Sequence, residues 1–423
     1  MAANAGPDII EDGIVFYYDT GNTVKSYVGE PTENLFGTTA MAFQSDYPDF
    51  TPYIQNGSDS IGNYIIKDTV NAPWYTGLRV RDNGVRPLTT GVPYVVSFEC
   101  QSPQHGWSWS LDSNQYGGDW DGNDSGRTSF TNLTFISTGG TTYTQDMVNT
   151  WQKVQYVVYM KSWSGGSPTA YPLDSFFPDA NNIKIYYRNP QMEVSKTHAT
   201  QYTPTSRSVT QGLLDMARNS TVNLTDVSFN STAQITFDGT NDKIHGIETI
   251  HSYLSSSAIE FVVTPTVINR RMTVGGYRHN DGYSQPTIGM VYIQDDNTFN
   301  ASVIAAAQVY RGVTSTTTVT ANKTYHVVFN KNTTTGVMQM FVNGVLEAAQ
   351  TFDVATYAQW PTPGNYVGSN ILDLGKSYNT SVGQGWGNDF LVGTIPVFKL
   401  YSKILSASEV LTNYNALKTR FGI

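Results

Sequence analysis

At 423 residues the chain is long for one domain, and two domains of ordinary size are the expectation. Charged residues make up only 14% against 39% hydrophobic, with 27 tyrosines, so Thr, Ser, Asn, Gln and Gly must supply the polar surface, a composition suited to β-structure with many turns. A net charge of −9 without a basic stripe excludes a binder of nucleic-acid backbones, and the one cysteine, Cys100, excludes an intrachain disulfide framework and suits folding in a reducing cytosol.

The first residues, MAANAGPDIIEDG, hold no basic segment followed by an apolar run, so no signal peptide is expected. No apolar run of about 18 residues occurs, so neither is a transmembrane helix. Gly13 to Asn22, GIVFYYDTGN, reads as a short strand running into a turn, and turn formers follow as far as Pro31. From there to about Ser206 strands alternate with Gly, Asn, Asp and Ser clusters. Tyr94, Val96, Phe98 and Cys100 alternate with Val95, Ser97 and Glu99, the period of a strand with one wetter face. Val154, Tyr156, Val158 and Met160 repeat the pattern, as do Ile183, Ile185 and Tyr187.

Beyond Ser208, Ile235 and Phe237 lead into a turn, and Ile259, Phe261 and Val263 share a strand face. Tyr325, Val327 and Phe329 mark another strand. Met338, Met340 and Val342 precede Asn343–Gly344, a pair that tolerates the positive φ of a type I′ hairpin turn. Ile395 to Tyr401 is a strand, and one helix follows it. Ser406 and Glu409 have the spacing of a capping box, Val410, Tyr414, Leu417 and Phe421 share a face, and Gly422 ends the helix.

Two resemblances organise these elements. Glu33–Asn34–Leu35–Phe36 and the closing run Asn189–Pro190–Gln191–Met192–Glu193 with Ala199–Thr200–Gln201–Tyr202–Thr203–Pro204 are similar to the opening and closing phrases of carbohydrate-binding-module-like jelly rolls of phage tail and capsid proteins. Phe237–Asp238–Gly239–Thr240–Asn241–Asp242, the hairpin Phe341–Val342–Asn343–Gly344, and Tyr401 with Leu405 to Tyr414 resemble the LamG or concanavalin A-like lectin family as it occurs in phage virion proteins. In those relatives the domain opens with a phrase like Gly13–Ile14–Val15–Phe16–Tyr17–Tyr18–Asp19. The expected fold is therefore all-β: two antiparallel sandwich domains, one inserted in the other, with a short C-terminal helix. Residues 1–31 and 207–423 would form a discontinuous lectin-like sandwich, and 32–206 an inserted jelly roll. The Ile14 to Tyr18 strand would pair antiparallel with Val397 to Tyr401, and the helix would cover an end or edge of that sandwich.

Signatures of catalysis are scarce. A glycoside hydrolase needs two carboxylates facing each other across the bond, and the E-x-D-x-E strand typical of hydrolases of this fold is absent. Glu260 has only Ala258 and Val262 as same-face neighbours on its strand. No G-x-S-x-G or H-E-x-x-H occurs, and the six histidines show no ligand spacing. Gly375–Lys376–Ser377 lacks the first glycine of a phosphate loop and reads as a turn, as does the run Gly385 to Asp389. Cys100 reads as a small core residue.

The richest cluster is Trp107, Trp109, Tyr116, Trp120 and Trp163, interleaved with Asp112, Asp119, Asp121, Asn123 and Asp124. Indole rings stack on the C–H faces of sugars while Asp and Asn bind hydroxyls, so these aromatics are the candidate glycan contacts. The alternative is a strand core with Trp120 at a subunit contact. Asp119, Asp121 and Asn123 have the alternation of oxygen ligands that suits calcium, although Gly122 and Phe130 depart from the EF-hand pattern. A solvated turn is the plainer reading, and no other cofactor is expected. The resemblance implies a non-enzymatic virion structural protein on the particle exterior, assembled in the host cytoplasm, a capsid decoration, fibre or tail component. Its partners would be other virion proteins and further copies of itself, and polysaccharide contact would be incidental. The alternative is a host-glycan adhesin; a less favoured one is a polysaccharide-degrading hydrolase.

Overall fold

The computed structural model describes residues 9–36, 54–67, 78–80, 92–101, 109–111, 149–159, 173–178, 184–194, 196, 198–245, 256–279, 289–305, 309–353, 370–376 and 389–423. Among the described residues the chain is all-β apart from one C-terminal helix, and it forms two compact units. One comprises residues 1–31, 208–230 and 234–423; the other comprises 32–207 and 231–233.

The first unit is a sandwich of an eight-stranded and a seven-stranded antiparallel sheet. In the eight-stranded sheet, Val392–Tyr401 is the central strand. Ser257–Pro265 lies on one side of it; Ile14–Asp19 and Ile235–Asp238 share the other. Ile14–Asp19 pairs antiparallel with the last strand as the sequence predicts, with Tyr17 opposite Lys399 and Asp19 opposite Val397. The alternating residues Ile259, Phe261, Val263, Val327, Phe329, Met338, Met340 and Val342 all point between the sheets. There they meet Met272, Val274, Val291, Phe299 and Val313 of the seven-stranded sheet. Phe16 and Tyr18 enter the same core, their rings against Phe398. Asn343 and Gly344 both adopt positive φ, 49° and 81°, as a type I′ turn requires.

Asp215 fastens the first strand to the chain that follows residue 208. It is buried, and it accepts backbone N–H groups from Tyr17, Ala217, Asn219 and Ser220. Arg420, in the last turn of the helix, forks onto both carboxylate oxygens of Asp19.

The helix Ala407–Phe421 starts at the Ser406 cap and ends at left-handed Gly422. Ser406 Oγ accepts from the Glu409 amide while Glu409 Oε2 accepts from the Ser406 amide, so the capping box closes. Ser406→Ala is expected to destabilise this unit by about 1 kcal/mol in urea denaturation. The helix does not cover an end or an edge. It lies on the outer face of the eight-stranded sheet, where Val410 and Leu417 pack on Ala258, Val262, Val328 and Val397. The reason is in the strands: that outer face is apolar enough to need a cover. Tyr414 and Phe421 are only half-buried, and the helix buries Asn413 between Val410 and Leu417.

In the second unit a five-stranded sheet runs in the order Ile54–Ser58, Asn63–Lys67, Lys184–Val194, Pro93–Gln101, Gln152–Tyr159. A three-stranded sheet is formed by Leu78–Val80, Leu173–Pro178 and Trp109–Leu111. Tyr94, Val96, Phe98 and Cys100 are buried as read; Met160 and Ile183 lie outside the described residues. The wetter face of the Pro93–Gln101 strand is drier than its alternation implies, because residues 198–203 lie over one end of it. Val95 and Ser97 are buried there, Val95 against Ala199. Gln191 and Glu193 bond to Thr200.

The motif Glu33–Phe36 has a physical role in this closure. Buried Asn34 donates to the carbonyls of Pro190 (3.0 Å) and Thr203 (2.9 Å) and accepts from the amides of Met192 and Phe36. One side chain thus holds opening and closing segments together. Asn34→Ala leaves those buried groups unpaired and is expected to cost about 1–3 kcal/mol, read as a lowered melting temperature.

Candidate functional site

Of the aromatic cluster singled out in the sequence, Trp107, Tyr116, Trp120 and Trp163 lie outside the described residues, as do Asp119, Asp121 and Asn123. Trp109 lies on a described strand, opposite Pro178. Among the described residues, no group of three or more His, Cys, Asp or Glu side chains is placed to hold a metal ion.

Two other constellations are built from described residues. The first lies under the C-terminal helix. Glu260 and Lys399 are direct cross-strand neighbours, fully buried, with Lys399 Nζ donating to Glu260 Oε1 at 2.7 Å. His326 Nε2 lies 3.2 Å from the same oxygen. Glu260 Oε2 meets the Tyr401 hydroxyl at 3.1 Å and also accepts from the Asn413 amide. Asn413 Oδ1 in turn accepts from the Ile10 amide (2.7 Å), and the Tyr401 hydroxyl reaches the Ile10 carbonyl. Burial alone would raise the Glu260 carboxyl, but the Lys399 charge and the His326 contact overcome it and hold it down at about 2. Burial, then the adjacent Glu260 charge, pushes the Tyr401 phenol well above the ordinary tyrosine range. A carboxylate kept ionised and sealed from solvent has no proton to give and no route to a substrate. This cluster fixes the helix and the N-terminal segment to the sheet.

The second constellation is on the five-stranded sheet of the other unit, on the face opposite its Phe98 and Cys100 core. One row of the ladder crosses four strands: Gly57 pairs with Tyr64, Tyr64 with Tyr186, and Tyr186 with Gln101. Trp151, just before the Gln152–Tyr159 strand, continues the row. With its amide oriented to satisfy both neighbours, Gln101 accepts from the Trp151 indole N–H (3.2 Å) and donates to the Asn149 carbonyl (3.0 Å). A Cβ at Gly57 would lie 2.5 Å from the Tyr64 ring that crosses it, so a larger residue there would push the ring aside.

Charged side chains interleave with these rings. Lys184 Nζ sits 3.7 Å from the centre of the Tyr64 ring and donates to Asp59 at 2.7 Å, and the Tyr186 hydroxyl donates to the same carboxylate oxygen at 2.8 Å. The Lys184 bond, then the Ile61 amide, holds the Asp59 carboxyl well below the usual range. At the other end, the Arg188 guanidinium lies 4.0 Å above the Trp151 ring and donates to Glu99, which also accepts from Asn189. Tyr64 and Trp151 are half-buried, and Asp59 and Arg188 are exposed. At its two ends, Tyr64 with Asp59 and Lys184 and Trp151 with Arg188 and Glu99, the row offers ring surface, carboxylate acceptors and cationic donors of the kind a polyhydroxylated ligand asks of a protein surface; Tyr186 and Gln101 between them are buried. Alternation along its strand marks Glu99 as a wet-face residue but carries no sign of this row, because Tyr64, Trp151 and Tyr186 come from segments far apart in the chain.

Residues 238–411, less than half of the chain, match the family model described as Concanavalin A-like lectin/glucanases superfamily (Laminin_G_3). Similar solved structures include a native heptameric SAP-like pentraxin from Limulus polyphemus, with 13% identity, TM-score 0.32, 42% of this chain and 78% of that chain. The binding domain of botulinum neurotoxin serotype D is similar with 15% identity and TM-score 0.36 over 49% of this chain; the chain spans 50% of that domain. The Ruminococcus gnavus IT-sialidase CBM40 bound to alpha2,3 sialyllactose is similar with 15% identity and TM-score 0.31, covering 38% of this chain and 83% of that one. No curated protein matches the sequence.

Proposed function

We propose that this chain is a non-enzymatic attachment protein on the exterior of a tailed-phage particle, with a lectin-like sandwich as its frame and a polysaccharide-binding face on its second unit. The observation that carries the binding reading is the row from Tyr64 to Trp151, where rings alternate with Asp59, Lys184, Glu99 and Arg188 on the polar side of a sheet. The match of residues 238–411 to a lectin-like family model agrees with a binding role. The phage assignment is supported by the opening and closing phrases of the two units, from Gly13–Asn22 to Leu405–Tyr414. Trp107, Trp109, Tyr116, Trp120 and Trp163 belong to the same proposal as further sugar contacts, with calcium at Asp119, Asp121 and Asn123.

A glycan array tests the binding reading: bound glycan lost in Tyr64→Ala and Trp151→Ala supports it, and the same binding in both variants sinks it. Labelling intact particles with antibody against the chain tests the location. A particle surface free of label would refute the virion assignment.

A further inference from the structure

We propose that Lys399 and Asn413 join in an intramolecular amide bond, with Glu260 as the catalytic carboxylate, and that this bond locks the C-terminal helix to the central strand of its sheet. The proposal stands apart from the glycan reading, which concerns the other unit. Its ground is that an amine, a carboxamide and a carboxylate touching both meet in one sealed place. Lys399 Nζ donates to Glu260 Oε1 at 2.7 Å, and Asn413 Nδ2 donates to Glu260 Oε2. All three side chains are 0% exposed. The seal bars an outside substrate, but here nucleophile and electrophile both belong to the chain.

Each group has the neighbours this reaction needs. A lysine desolvated by burial and set beside a base is an activated nucleophile. Asn413 stands on the helix between Val410 and Leu417, where an apolar side chain would cost less to bury. Its Oδ1 accepts the Ile10 amide at 2.7 Å, a main-chain donor already in place where the negative charge of a tetrahedral intermediate develops. Its Nδ2 also donates to the Tyr401 hydroxyl at 3.0 Å, which fixes the plane of the carboxamide. His326 Nε2, 3.2 Å from Glu260 Oε1, steadies the carboxylate. What remains is for Nζ to swing from Oε1 towards Cγ of Asn413 and close to about 3–3.5 Å, a movement the flexible stem of lysine permits.

The step balances without any other reactant. Glu260 takes a proton from the Lys399 ammonium, and the freed lone pair attacks Cγ of Asn413. The new C–N bond forms, the carbonyl pair moves onto Oδ1 against the Ile10 amide, and the tetrahedral centre collapses with loss of Nδ2. Of the three Nζ protons, one stays on the new amide. One passes through Glu260 to Nδ2, which leaves as ammonia, and one remains on Glu260. The proton that Glu260 hands on is thus one it has first received, and nothing is oxidised or reduced. A buried ion pair, costly to desolvate, gives way to a neutral amide and a neutral carboxyl. The ion pair described above is the cluster as it stands before the bond forms.

Intact-mass spectrometry of the aged wild-type protein, followed by tryptic mapping, tests this. The expected result is a chain lighter than its sequence by one ammonia. It should yield a branched peptide in which residues 377–403 and 404–418 are joined through Lys399 and Asn413, with Lys399 left uncut. Asn413→Ala, Lys399→Arg and Glu260→Gln should each show the full sequence mass; the last keeps both reacting groups and removes the proton relay. Full sequence mass in the wild-type protein would overturn the proposal. So would a lost ammonia with residues 377–399 and 404–418 recovered as separate peptides, which would place the loss elsewhere, at Asn343–Gly344 for instance. A folded Glu260→Gln that still gives the branched peptide would overturn the role of Glu260. The wild-type reading needs no variant to fold, and the same mass tells whether a denaturation curve of this unit reports the bonded or the unbonded chain.

Discussion

Glu260→Gln is expected to destabilise the lectin-like unit by about 3–5 kcal/mol, because it leaves the Lys399 ammonium buried without its counter-charge. The glutamine keeps the shape of the side chain and much of its bonding to Tyr401 and Asn413, so packing loss is not the cause. Glu260→Leu combined with Lys399→Met should recover most of that loss, since well-packed apolar pairs often replace a buried ion pair at no net cost. Urea denaturation followed by far-ultraviolet circular dichroism measures both. A single variant within 1 kcal/mol of wild type would show that the network does not hold the helix.

The same group sets a pH dependence. Its folded carboxyl titrates at about 2, below the 4.5 of an unperturbed glutamate, so the anion is favoured by folding. The resulting stability is complete above pH 4.5 and falls as pH drops from there through 2. At roughly 1.4 kcal/mol per pH unit of that gap it amounts to about 3 kcal/mol. Glu260→Gln should flatten this part of the acid-denaturation profile, and an unchanged acid limb would assign it to other carboxylates.

Phe16→Ala is expected to lose about 3–5 kcal/mol. Phe16 is fully buried, edge-on to Tyr18 and tilted against Phe398, on a strand paired with the last one. The control is Val24→Ala, 84% exposed in the same N-terminal region, which should stay within about 0.5 kcal/mol of wild type. Equal effects for the two would mean that the first strand contributes little to the core.

The architecture was legible where a pattern is local. The period of two in Ile259–Val263 and Met338–Val342, the Asn343–Gly344 turn and the Ser406–Glu409 box each follow from neighbouring residues and all appear in the structure. The pairing of Ile14–Asp19 with the last strand was legible from the family resemblance and not from periodicity. The helix position was missed because an amphipathic period says that a face is buried and not what it is buried against.

A signal for it did exist. Glu260, His326 and Lys399 each stand alone among apolar neighbours in Ala258–Val263, Tyr325–Phe329 and Val397–Tyr401. Three such lone polar side chains on three strands imply a shared, covered polar cluster. The row from Tyr64 to Trp151 had no such signal. Its members meet only through strand register, and register is set by pairing across the sheet.

The place of Val392–Tyr401 between Ser257–Pro265 and Ile14–Asp19 also dictates a schedule. Translation delivers Ile14–Asp19 long before the strand it pairs with, since most of the described chain lies between them. At about 5–20 residues per second the early strand waits tens of seconds on the ribosome for its neighbour. Until then the eight-stranded sheet is three separate pieces with open edges, namely Ile14–Asp19, the pair that ends in Ile235–Asp238, and the four strands from Ser257–Pro265 onward, and closure demands contacts between segments far apart in the chain, which is slow. A stop codon before residue 392 would therefore not yield a shortened sandwich. It would remove the strand that joins the three pieces and send the product to aggregation or proteolysis.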